Sequence, residues 1–323
     1  MKNYKKFLKE HRHIPEFESI IDKIKNDLTS ILSNFEYKEY ILTPAYTYIK
    51  DGITYDIKIK IILNFTNSNS EKYDGNINYL NIVKNGLDKT IITINIESIE
   101  PRIEKILESI SHELTHLYEL EKLKDFDYSS WSKSTYLIDS KKQNSVILFM
   151  FFRELVYFSF EHEIRAKIAG MHEYLLYMWK NNKYDKTEFM NFLKNSNSYN
   201  NCVSLENFNA DEFVNNFILF TKNGLEFLIY LTNEFNKYFK IKTTINTKEE
   251  LEIYYKKWEK KFKKSGKEFK KKLYDIFYEV IKENKFEKNV NYVHESFDIK
   301  IEQPIYEKFD EMINNMITTF LNK

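Results

Sequence analysis

The chain has 323 residues, 42% of them hydrophobic, with 6 glycines, 4 prolines and a single cysteine. Such a composition supports one large apolar core or two ordinary ones and excludes an intrinsically disordered chain. The lone Cys202 excludes an intrachain disulfide and points to a reducing compartment, and a formal net charge of +1 excludes a molecule that attracts polyanions as a whole.

Abundant Lys, Asn, Ile, Tyr and Phe fit AT-rich coding sequence, as in a low-GC bacterium or its phage. Scarce Gly and Pro fit long elements with few tight turns. The start, "MKNYKKFLKEHRHIPEF", is basic but lacks the apolar core of a signal peptide. The most apolar run, "VILFMFFRELVYFSF", is broken by Arg153 and Glu154, so it reads as a buried helix and not a membrane span. A cytoplasmic or virion-associated protein is expected.

Taken in chain order, residues 16–33 carry helical apolar spacing. "YTYIKDGITYDIKIKIIL" then places Asp51-Gly52 between two alternating runs, a hairpin signal that sets Tyr48 opposite Tyr55 and Tyr46 opposite Ile57. "TIITINI", residues 90–96, reads as a half-exposed strand with Ile92, Ile94 and Ile96 on one face and Thr93 and Asn95 on the other. Pro101 suits the first position of a helix running to about Lys122, with Glu100 and Glu104 favourably placed near its start. A polar stretch follows, then one long apolar helix over about 145–180 and a mainly helical remainder, in which the Asn/Ser-rich residues 194–201 read as a surface loop. No internal repeat is visible. The expected fold class is α+β: a small mixed or antiparallel sheet with flanking helices in residues 1–140, then a mainly helical part in residues 141–323. A cleft between the two parts is expected, with the 90–96 strand as the rim to which substrate adds as an antiparallel strand.

Chemistry concentrates in "ILESISHELTHLYELEK", residues 106–122. Ile103, Leu107, Ile110, Leu114 and Leu117 make one apolar stripe, and His112 and His116 lie on the opposite side, one turn apart. Imidazoles at i and i+4 can reach a single ion, and a third protein ligand must come from another segment. The apolar helix supplies candidates in "FSFEHEIRAKIAGMHEYL", because carboxylates on a buried helix need compensation. Glu163 shares its face with Ala166 and Gly170, small residues that permit close helix approach, which favours it over Glu161. His162 and His172 read as neighbours or surface residues, and His294 as a weak candidate for steadying an oxyanion.

These residues resemble the gluzincin-type zinc metallopeptidases, which carry HExxH on one helix and a glutamate in an E-x-x-A context on a later one. Here the match is His112-Glu113-Leu114-Thr115-His116 and Glu163-Ile164-Arg165-Ala166, covering roughly residues 85–175. The chain is also similar to peptidases encoded by phages of AT-rich hosts. The resemblance implies a zincin-like fold, Zn²⁺ held by His112, His116 and Glu163, Glu113 as general base, and endopeptidase action on a protein or peptide substrate. It departs from the pattern at Lys167, where many gluzincins have Asp, and no oxyanion-steadying residue is identifiable. A rival reading is a non-enzymatic phage or bacterial structural or cargo protein whose zincin site is degenerate or structural.

The segment "KKWEKKFKKSGKEFKKK", residues 256–272, has ten lysines and two glutamates. An apolar stripe through Tyr255, Trp258, Phe262 and Phe269 makes it the solvated face of a helix. No nucleic-acid-binding motif accompanies it, so nucleic acid is not an expected partner.

Overall fold

The computed structural model describes residues 15–50, 53–77, 91–119, 143–181, 185–219, 223–239 and 241–283. Helix α1 (Pro15–Ser33) covers the residues whose apolar spacing is helical, and it buries Ile20, Ile21, Ile24 and Leu28. Strand β1 (Glu39–Leu42) follows, and then a separate hairpin of β2 (Ala45–Lys50) and β3 (Ile53–Lys58). Its register pairs Tyr46 with Ile57 and Tyr48 with Tyr55, as the alternation predicts. Asp51 and Gly52 lie outside the described residues.

Strands β4 (Lys60–Thr66), β5 (Lys72–Ile77) and β6 (Ile91–Glu97) join β1 in a four-stranded mixed sheet ordered β1-β4-β6-β5. Strands β4 and β6 run parallel, and β5 is antiparallel to β6 with Gly75 opposite Ile94. Ile61, Leu63 and Phe65 of β4 and Ile92, Ile94 and Ile96 of β6 bury one face in a common core with α1 and with helix α2 (Ile103–Glu119). The expected rim strand is corrected here: β6 is hydrogen-bonded on both sides, and β5 holds the edge. Alternation along a strand reports which face is buried and carries no information about which edge is free. Helix α2 also begins two residues after Pro101, with the Arg102 carbonyl accepting the Lys105 and Ile106 amides.

The long helix expected over 145–180 is two helices, α3 (Gln143–Phe158) and α4 (Glu161–Asn181). At the break the Ser159 hydroxyl donates to the Val156 carbonyl at 2.7 Å, and the Phe160 carbonyl accepts the Ile164 amide to start the new helix. The apolar pattern runs on unbroken because both helices are buried, so periodicity alone conceals the junction. Glu163 thereby falls in a first helical turn, where the helix dipole favours a carboxylate.

Helices α5 (Lys186–Lys194), α6 (Asn197–Asn207), α7 (Ala210–Leu219), α8 (Gly224–Tyr238) and α9 (Lys248–Glu283) complete the described chain. The loop expected over 194–201 is corrected: Ser196 caps α6, its hydroxyl accepting the Tyr199 amide at 3.1 Å, and residues 197–201 are helical. Phe152, Phe189, Phe217, Tyr255, Phe262, Phe269 and Phe277 are fully buried in a second core. Among the described residues no helix is long and apolar enough to cross a membrane. Met1–Asn284 form one unit by internal packing, so the two cores are not separate bodies.

Candidate metal centre

Helices α2 and α4 pack directly against each other, and glycine makes that approach possible. A Cβ placed on Gly170 would lie 2.6 Å from the Glu108 carbonyl oxygen, a distance at which carbon and backbone oxygen overlap. The two helices therefore meet backbone to backbone at this point, and Glu163 reaches across to the face of α2 that carries His112 and His116.

The three side chains converge. His112 Nε2 and His116 Nε2 are 3.1 Å apart, and Glu163 Oε1 and Oε2 lie 3.5 Å and 3.2 Å from them respectively. A tetrahedral zinc with bonds of about 2.0–2.1 Å has ligand-to-ligand edges of roughly 3.3–3.4 Å, and one donor atom from each of the three side chains lies within 4.8 Å of the other two, near enough to share an ion after a small adjustment. Glu163 Oε2 is buried and finds no well-directed hydrogen-bond donor, which a metal would remedy.

Charge states agree with that donor set. Burial lowers the His112 pKa to about 3, so the imidazole is neutral at pH 7. Burial alone would raise the Glu163 pKa, but His112, Lys167 and His116 outweigh it and hold the carboxyl well below its usual range. Neutral imidazole and ionised carboxylate are the forms that bind a metal. Lys167 Nζ stands 3.4 Å from Glu163 Oε1, one turn along α4, and bridges to the ring of Phe158 at 5.0 Å from its centroid.

Glu113 lies beside the cluster on the same turn of α2 and is buried. Desolvation pushes its pKa up to about 7. Its side chain rests on the edge strand: a Cβ on Gly75 would meet Glu113 Oε1 at 2.7 Å. Gly75 escapes the reading of motifs, although a lone glycine in the strand pattern "KYDGNI" is itself a signal of close backbone approach. The cleft beside these groups has a volume of about 570 Å³ and is lined from both sides of residue 140. Strand β5, helix α2, the end of α3, helix α4 and the α5–α6 junction form its walls.

Of the other sequence candidates, Glu161 is 72% exposed, pairs with Arg165 at 3.1 Å, and takes no part in the cluster. His162 is buried, its ring stacked on Phe160 and 5.9 Å from that of His116. His172 lies 3.4 Å from its neighbour Glu173, and His294 lies outside the described residues. No family model, curated protein or solved structure matches the chain.

Proposed function

We propose that the chain is a zinc-dependent metallopeptidase of the gluzincin type, with a zincin-like arrangement in which His112, His116 and Glu163 hold the ion. The observation that carries this reading is the convergence of the His112, His116 and Glu163 side chains, with one donor atom from each within 4.8 Å of the others and a buried carboxylate, Glu113, beside them. Zinc held there supplies a Lewis acid and lowers the pKa of a coordinated water to about 7. A structural site of four closed ligands has no use for an extra carboxylate in a cleft, which favours catalysis over the structural or cargo reading.

The residues of the chain then divide the work. Glu113, with a pKa near 7, can take a proton from the attacking water and return it to the leaving amine at neutral pH. Gly75 lets that carboxylate lie flat against β5. The outer edge of β5 carries no strand partner among the described residues, so an extended peptide can add there as a further antiparallel strand beside the cleft. A protein or peptide is the expected substrate. The reading is tested by metal analysis of the purified chain together with a proteome-wide cleavage profile of wild type against Glu113→Gln. The expected result is stoichiometric zinc in both and cleavage in wild type alone; equal cleavage by both would remove Glu113 from the reaction.

A further inference from the structure

Helix α9 is 36 residues long, and its lysines separate into two sets that the sequence does not distinguish. Lys256 pairs with Asp211, Lys263 with Glu259 and Lys270 with Glu206, while Lys261 lies over the Trp258 ring and Lys272 is also engaged. The remaining five, Lys257, Lys260, Lys264, Lys267 and Lys271, are all exposed. None of them has an ion pair or hydrogen bond among the described residues. Their spacing is i, i+3, i+7, i+10, i+14. On a helix that places them within an arc of about 80° and in a row about 21 Å long. Glu268 is the acid bordering the row within this span.

We propose that this row is a docking surface for the phosphodiester backbone of nucleic acid. Lysines with local carboxylates have their charge answered, whereas the five in the row concentrate positive charge on a molecule whose net charge is only +1. A helix that adsorbs to a bilayer inserts an apolar face, but that of α9, including Leu251, Tyr255, Phe262 and Phe269, is buried in the protein's own core. Ile253, one turn before the row, is the large apolar side chain of α9 that is exposed. With bilayer insertion set aside, a single-file row suits the line of charge of a phosphodiester backbone better than a sheet of charge. Duplex DNA carries one charge per about 1.7 Å of axis and releases counterions as lysines replace them. The absence of a base-reading motif makes the contact independent of sequence. It is also independent of the metal site.

The test uses the full chain, a fluorescein-labelled 24-base-pair DNA duplex read by anisotropy from 25 to 200 mM salt, and vesicles containing phosphatidylserine read by sedimentation. The expected result is duplex binding whose log K falls against log salt with a slope of about −4.5, for five lysines at about 0.9 each. The variant K257Q/K260Q/K264Q/K267Q/K271Q should lose at least tenfold in affinity, and K256Q/K263Q/K270Q should lose less. Single variants K260Q and K267Q should each flatten the slope by about 0.9. No duplex binding at 25 mM salt, equal loss from both lysine sets, or binding to vesicles without binding to the duplex would overturn the proposal.

Discussion

Replacing Gly170 by alanine sets two physical terms against each other. In the middle of a helix, Gly→Ala ordinarily stabilises by about 1 kcal/mol, because glycine loses more backbone freedom on folding. At this position the added Cβ would stand 2.6 Å from the Glu108 carbonyl oxygen, where ordinary contact begins near 3.4 Å. The obstacle is the backbone of a packed helix and cannot rotate away, so α2 and α4 must separate by several tenths of an ångström. Overpacking of that kind costs about 1–3 kcal/mol. The expected net effect on Gly170→Ala is therefore destabilisation by up to about 2 kcal/mol, measured as a lower urea midpoint at unchanged slope. The same separation lengthens the reach from Glu163 to the two histidines, so zinc affinity in a chelator competition should fall by about tenfold or more. A variant about 1 kcal/mol more stable than wild type, with zinc affinity intact, would refute the close-packing argument.

Glu163→Ala should lose zinc while Glu161→Ala keeps it, because Glu161 is exposed and paired with Arg165; chelator competition on both variants decides between them. The double variant His112→Ala, His116→Ala should bind no zinc in metal analysis, and retained stoichiometric zinc would place the site elsewhere. Gly75→Ala should leave zinc affinity nearly unchanged and reduce cleavage at least tenfold by displacing Glu113, measured on any peptide that wild type cleaves. Acid should destabilise the metal-free protein. His112 and His162 have pKa values lowered by burial to about 3 and about 4, so between those values and 6.5 the unfolded chain binds their protons and the folded one does not. Glu113 acts in the opposite sense, since its pKa is raised from 4.5 to about 7 and the folded form keeps a proton the unfolded form has lost. Two groups against one leave stability falling as pH drops from 6.5 towards 4.5, visible as a declining thermal midpoint; a midpoint that rises over that interval would contradict the burial of these rings.

The elements around the site differ in how far their sequence discloses them. The stripe of α2 is legible because one face alone is apolar, which fixes both the helix and the placement of His112 and His116 on the face away from that stripe. The hairpin register is legible for a similar reason, since each face of β2 and β3 alternates. Apolar content on all sides hides the junction at Ser159 and Phe160, which depends on local hydrogen bonds. Edge position is also hidden: β5, with the polar sequence "KYDGNI", is a weak strand by composition and owes its place to pairing with β6. The seat of Glu113 on Gly75 joins residues 38 positions apart and becomes visible only when β5 and α2 are assembled. Likewise the split of the α9 lysines depends on carboxylates brought from α6 and α7, which no local pattern foretells.

The central claim is that His112, His116 and Glu163 together hold one zinc ion, and X-ray absorption at the zinc edge tests it most directly. Zinc-loaded wild type should contain one ion per chain, with two imidazole nitrogens at about 2.0–2.1 Å and oxygen neighbours at about 2.0–2.2 Å. Glu163→Ala should lose the ion or an oxygen neighbour from that shell. Zinc bound through sulfur, or a spectrum unchanged in Glu163→Ala, would contradict the account.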